Sequence, residues 1–241
     1  MIHALLAPIR ILLIFMATFI CGTVGVLMRL FGASTDTTVM VVSHKTWSPF
    51  VNGITGMRVE VEGMDQVDLS TPSIYCANHS SLMDIPAICG NTPFPLYFVA
   101  KESLKKVPGL GWYVTVTGMI FINRSNREQA MRSMKRAAAL IKDGKNVLTF
   151  PEGSRSADGE LQLFRRGSFI IALEGDIPVV PIALEEVNRV LPKGGWVLKP
   201  GKVRLTVGKP IYPSFLSEPT PEAFAAVTQE AVAALMQKNK A

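Results

Sequence analysis

Asn78-His79-Ser80-Ser81-Leu82-Met83-Asp84 sets an imidazole five residues before a carboxylate. A carboxylate on one ring nitrogen fixes the tautomer and leaves the other nitrogen free to act as a base. In an uninterrupted helix, residues five apart lie about 140° apart. The pair therefore needs a turn between its members that folds His79 back toward Asp84. Pro86 suits the first turn of a helix, which puts Asp84 at or near that helix's start. The alternative is a structural histidine at a strand end.

A second chemical stretch is Phe150-Pro151-Glu152-Gly153-Ser154-Arg155-Ser156. Pro and Gly favour a tight turn, while Glu and Arg offer one acceptor and one fork-shaped phosphate donor. A surface turn with a local ion pair would look the same. A third stretch, Phe121-Ile122-Asn123-Arg124, places an arginine at a strand end, directly before a helix start. Both the guanidinium and the helix terminus favour an anion.

Charge gathers nearby. From Lys101 to Arg136 there are eight Lys or Arg and two Glu, a local +6 that equals the formal charge of the whole chain. A solvated face, nucleic acid and an anionic small molecule or lipid surface are the possible uses. No nucleic-acid recognition motif or interleaved aromatic set is present. An anionic small molecule or lipid fits the charge better.

Covalent catalysis has less support. There is no Gly-x-Ser-x-Gly elbow and no Gly-rich nucleotide loop. Cys76 falls inside a predicted strand, Cys89 reads as a core residue, and Cys21 lies in an apolar helix. Three scattered cysteines exclude a disulfide scaffold and a zinc cluster, and no metal site is expected.

The elements that must position these residues read as α/β. Strands are expected at 58–61, 73–77, 96–100, 119–123, 147–150, 179–183 and 203–208. The runs at 147–150 and 179–184 are nearly continuous apolar stretches, as in strands covered on both faces. Ser125 and Glu128 suggest a capping box for a helix with Met131, Met134, Ala138 and Ile141 on one face, stopped by Gly144. A second helix runs from about Pro221 to Gln237, capped by Thr220, with Phe224, Val227, Ala231 and Leu235 as its stripe.

The N-terminus is different. Residues 1–31 hold 23 apolar residues and two charges, Arg10 and Arg29. The 18 uncharged residues from Ile11 to Met28 reach the length of a candidate membrane helix. The run is longer than the usual apolar core of a signal peptide, and no clear cleavage site follows it. A permanent membrane helix, spanning or dipping, is expected. Thr38 to Thr55 is too polar to span. It suits an interfacial helix packed back on the first, with Trp47 at headgroup depth and His44 as a polar interfacial residue.

Taken together, four blocks resemble the 1-acyl-sn-glycerol-3-phosphate acyltransferase (lysophosphatidic acid acyltransferase) family. They are Asn78-His79 with Asp84; Lys101 through Pro108-Gly109 to Phe121-Ile122-Asn123-Arg124; Phe150 to Ser156; and Val180-Pro181-Ile182. Two residues depart from the family's pattern: Asn123 stands where the family usually has Asp, and Ser154 where it usually has Thr. Ser154 keeps the hydroxyl. Asn123 removes a negative charge near the anion site.

The resemblance implies a glycerolipid-acyltransferase-like mixed sheet flanked by helices, with an N-terminal apolar helical hairpin. It implies an N-terminal membrane-anchoring segment over 1–56 and an acyltransferase α/β domain over 57–241. His79 would be the base and Asp84 its orienter, with no acyl-enzyme. Lys101, Arg124, Glu152, Gly153, Ser154 and Arg155 would hold the acceptor's glycerol phosphate, and Val180-Pro181 would shape the acyl-donor side. No cofactor is implied. The partners are lysophosphatidic acid, a membrane lipid, and acyl-CoA or acyl carrier protein as co-substrate. Cytosolic donors imply a cytoplasmic membrane with the catalytic domain facing the cytoplasm. Another acceptor such as lyso-ornithine lipid, a thioester hydrolase, and a non-catalytic anionic-lipid binder are the competing readings.

Overall fold

The structure, a computed structural model, describes residues 2–123 and 126–238. The chain opens with a long apolar helix, α1 (Ile2–Leu30). A helical segment folds back along it. It comprises α2 (Thr35–Val39), a π-helical stretch (Met40–Trp47) and α3 (Ser48–Thr55). From there strands and helices alternate: β1 (Met57–Glu62), β2 (Ile74–Ala77), α4 (Asp84–Cys89), β3 (Leu96–Lys101), α5 (Leu110–Val116), β4 (Ile120–Ile122) and α6 (Arg127–Lys142). Then follow β5 (Asn146–Thr149), α7 (Gly167–Glu174), β6 (Val179–Glu185), α8 (Val187–Val190), β7 (Gly201–Val207) and α9 (Pro221–Lys238).

The seven strands form one mixed sheet in the order β1-β7-β6-β2-β5-β3-β4. Among the described residues only the β6–β7 strand pair is antiparallel; the other strand pairs are parallel. Every expected strand is present within a few residues. β5 and β6 are buried along their whole length, as their unbroken apolar runs require of strands covered on both faces.

Strand alternation divides the core into two. Ile74 and Cys76 of β2 face one cluster, closed by Tyr113 and Val114 of α5, Met134, Ala137 and Ile141 of α6, and Phe224 and Val232 of α9. Tyr75 and Ala77 face the other, closed by Val51 of α3, Ala87 and Ile88 of α4, and Val187 and Val190 of α8.

Four local expectations are corrected. The cap of α6 is Asn126, whose side chain accepts from Gln129 N–H; Ser125 lies outside the described residues. Met131 is exposed while Ala137 is fully buried, because the seated face of α6 runs through Met134, Ala137 and Ile141. In α9 Val227 is exposed and Thr228 and Val232 are buried, although Thr220 does cap the helix, accepting from Ala223 N–H. The 38–55 segment packs back on α1 as expected, but His44, read as an interfacial polar residue, lies inside the protein. Thr38, Val39, Val42, His44, Ser48 and Val51 are all buried.

His44 has a structural reason to be inside. Its Nε2 accepts the Leu96 N–H at the start of β3, and its Nδ1 lies 3.2 Å from the Val39 carbonyl. Burial pushes its pKa down to about 4, so the ring is neutral and can accept at one nitrogen while donating at the other. Trp47 donates its indole N–H to Thr18 of α1 at 2.9 Å, so its polar end is satisfied within the protein.

Candidate active site

Parallel strands present their carboxyl ends along one edge, the usual place for ligands in open α/β sheets. β2 and β5 are neighbours there. The chain leaves β2 into 78–84 and β5 into 150–156, so two sequence blocks meet although they are far apart in the chain.

The first block is wound around one oxygen. Asp84 Oδ2 lies 2.7 Å from His79 Nδ1 and accepts the N–H groups of Ser80 and Ser81 at 2.9 Å each. Asp84 is fully buried and opens α4, where the positive end of the helix favours a carboxylate. The turn expected between the two residues is thus built by the carboxylate itself. With Nδ1–H donating to Asp84, Nε2 is left unprotonated, and His79 is partly exposed (18% of its side chain). Such a ring can accept a proton from a group above it.

Asn78 fixes the start of the turn. Its Nδ2 donates to the Leu184 carbonyl at 2.8 Å, and its Oδ1 accepts the Leu184 N–H at 2.7 Å. The side chain therefore continues the β2–β6 ladder one rung beyond the strand. Ser81 Oγ donates to the Leu191 carbonyl and accepts from Met83 N–H.

The second block clamps His79 from the other side. Glu152 Oε1 accepts the His79 N–H at 3.1 Å, and Ser156 N–H donates to the His79 carbonyl at 2.7 Å. The ring of Phe150 stacks on the imidazole, with centroids 4.1 Å apart. Glu152 is only 3% exposed, and its Oε2 has no hydrogen-bond partner. Burial, opposed in part by backbone N–H donors, pushes its pKa up to about 7.

Gly153 has φ +82°, and a Cβ there would lie 2.9 Å from Arg165 Nε. Only glycine fits this turn without strain, and its bareness lets the Arg165 side chain lie across it. Ser154 is exposed and Arg155 half-buried. Lys101 is exposed at the end of β3, paired in register with Ile122. Arg124 lies outside the described residues. The strand order places Lys101 two strands from the one that delivers His79, about 10 Å across the sheet.

Two expectations meet complications. Val180 and Pro181 are buried mid-sheet beside Ile74–Ala77, so they support the strand that carries His79. Glu152 turns its carboxylate onto the His79 backbone instead of outward. Sequence reasoning missed the Asn78–Leu184 bridge, the Phe150 stack and Arg165. The first two sit inside blocks that were noticed, but their partners could be found only from strand order. Arg165 carries no motif signal.

Cys76 and Cys89 are buried, and burial pushes both thiols up, away from the reactive thiolate. Among the described residues no group of His, Cys, Asp and Glu could hold a metal ion.

A family model described as Acyltransferase matches residues 58–185, more than half of the chain. The chain is 34% identical over 159 residues to a chloroplastic 1-acyl-sn-glycerol-3-phosphate acyltransferase of Brassica napus, covering 65% of this chain and 46% of that protein. It is 36% identical over 160 residues to the 1-acyl-sn-glycerol-3-phosphate acyltransferase of Saccharomyces cerevisiae, covering 65% and 52%. The chain spans about half the length of these curated relatives. The crystal structure of the 1-acyl-sn-glycerophosphate (LPA) acyltransferase PlsC from Thermotoga maritima superposes with a TM-score of 0.78 at 31% identity, covering 98% of both chains. The chain belongs to the acyltransferase family, among its 1-acyl-sn-glycerol-3-phosphate acyltransferases.

Proposed function

We propose that the protein transfers a fatty acyl chain from acyl-CoA or acyl carrier protein to the 2-hydroxyl of 1-acyl-sn-glycerol-3-phosphate, making phosphatidic acid. The observation that carries this reading is the His79–Asp84 pair: a 2.7 Å contact to a buried carboxylate with the far ring nitrogen left free.

The reaction needs one base. His79 Nε2 takes the proton of the acceptor hydroxyl as its oxygen attacks the thioester carbonyl. The tetrahedral adduct collapses, the C–S bond breaks, and the leaving thiolate takes the proton from His79, which restores the neutral base. Asp84 keeps Nδ1 protonated throughout and stabilises the imidazolium. A thioester is already activated, so a base and correct positioning suffice.

Lys101, Arg124, Ser154 and Arg155 hold the acceptor's phosphate in this scheme. Lys101 ends β3, the neighbour of β5, whose end leads into the block at 150–156; Arg124 is taken from the resemblance alone. Glu152, an acceptor-only group when ionised, would repel a phosphate and serves the site through the His79 backbone. Gly153 permits the turn that brings Arg155 and Arg165 to the same edge.

The membrane part of the proposal rests on α1. It is long and apolar enough to cross a bilayer, and Ile9, Leu12, Phe15, Phe19 and Leu27 are exposed along it. Residues 1–56 are read as the anchoring segment and 57–241 as the acyltransferase domain, facing the cytoplasm where the donors are.

Purified protein with labelled acyl-CoA or acyl carrier protein and two acceptors, lysophosphatidic acid and lyso-ornithine lipid, tests the assignment. Labelled phosphatidic acid is expected. Transfer only to lyso-ornithine lipid, release of free fatty acid alone, or no turnover would each contradict it.

A further inference from the structure

We propose that the loop at 192–200 is a second membrane-contact surface, one that takes anionic lipid headgroups beside α1. Its sequence, Pro192-Lys193-Gly194-Gly195-Trp196-Val197-Leu198-Lys199-Pro200, sets one tryptophan between two lysines. Tryptophan favours the depth of the headgroups, and lysine favours their charge.

The loop is pinned at both ends. Leu191 and Leu198 are buried in the second core. Lys199 N–H donates to the Val190 carbonyl at 2.9 Å, and Gly195 N–H closes a turn on Pro192 at 2.9 Å. What projects from this frame is polar or aromatic: Lys193 and Lys199 are exposed, and Trp196 is 56% exposed. A single exposed apolar side chain is ordinary; what marks Trp196 is its place between two lysines on a pinned loop, the pairing suited to a headgroup layer.

The position of the loop selects that partner. Arg10 of α1 donates through Nη1 to the Leu198 carbonyl at 3.0 Å. Two residues before Leu198 is Trp196, and around Arg10 the helix exposes Ile9, Leu12 and Leu13. The end of the loop therefore lies against α1 at Arg10, its first charge, with exposed apolar residues on either side of that arginine. Past Pro200 the chain enters an open cleft of about 560 Å³ lined by Arg58 and Lys202. Lys202 is paired with the carboxylate of Glu60 at 3.1 Å. Among the described residues Arg58, Lys193 and Lys199 have no acidic partner within ion-pair distance. Unpaired positive charge beside an exposed indole and an apolar helix matches an anionic bilayer surface.

The inference rests on the membrane part of the proposed function but not on the reaction. Its test uses no substrate. The chain has three tryptophans, so the full-length variant W47F/W112F reports Trp196 alone. In mixed phosphatidylcholine–phosphatidylglycerol vesicles its emission is expected to shift to the blue and to be quenched by lipids brominated near the glycerol end of the acyl chain. A second variant, K193Q/K199Q with all tryptophans present, is expected to lose roughly fivefold in affinity for these vesicles per lysine at low salt, and much less for pure phosphatidylcholine. Emission and quenching unchanged from solution while the protein co-sediments with vesicles would overturn the proposal. So would no binding to vesicles, or an undiminished preference for phosphatidylglycerol in K193Q/K199Q. If phosphatidic acid is not formed in the transfer assay yet Trp196 is quenched, the reaction is wrong and the surface stands.

Discussion

The imidazole of His79 and the ring of Phe150 stack with centroids 4.1 Å apart and planes at 21°. The two residues come from neighbouring strands, β2 and β5, and the contact fixes the one rotation that the Asp84 hydrogen bond leaves open. A ring held on an edge and on a face has little freedom to misalign its reactive nitrogen. Phe150→Ala should lower kcat about tenfold or more with little change in KM for the acceptor, since positioning of the base acts mainly in the transition state. Phe150→Tyr should retain most activity. A rise in KM with kcat intact would place Phe150 in substrate binding.

Glu152 gives a pH signature. Its pKa is raised from 4.5 to about 7 by burial, so folding favours its protonated form. A raised carboxyl contributes stability that is fully present below the unfolded value and is lost as pH rises through the folded one. Relative to Glu152→Gln, the wild type should therefore lose thermal stability in detergent between about pH 4.5 and pH 7, and the difference should level off above that window. A difference that stays constant across this range would contradict the burial assigned to Glu152.

Helix α1 is seated on the domain through glycine. A Cβ on Gly22 would overlap the Gly109 carbonyl, and one on Gly109 would lie 2.6 Å from Phe19 Cα. Both neighbours are backbone, which cannot yield as a flexible side chain can. Gly22→Val should lift α1 from α5 and cost on the order of 1–3 kcal/mol, the usual range for overpacking, read as a fall in Tm in detergent. Trp112 of α5, which meets Phe19 edge-on, should show altered fluorescence in the same variant. An unchanged Tm and spectrum would mean that the contact is not close.

Much of this was legible beforehand because it depends on local pattern. Seven strands follow from short apolar runs between turns, and the His79–Asp84 pair closes within a loop of five residues. What stayed hidden depends on which strands are neighbours. His79 and Glu152 are 73 positions apart, and only the pairing of β2 with β5 joins them. Asn78 and Leu184 are joined in the same way by β2 and β6. Helix stripes were ambiguous for a related reason. α6 has apolar residues on more than one face, and the elements beside it decide that Ala137 is buried and Met131 is not. His44 reads as interfacial in the sequence because its partner, the Leu96 N–H, belongs to a strand 52 residues away.

The most direct test of the central claim is acyl transfer to lysophosphatidic acid by His79→Ala, with Asp84→Asn beside it, both verified as folded by circular dichroism. His79 as the base predicts a loss of kcat of about 10²–10⁴-fold in His79→Ala. Asp84→Asn should fall by a comparable factor, because the amide no longer enforces the Nδ1–H tautomer. Full transfer by folded His79→Ala would contradict the account.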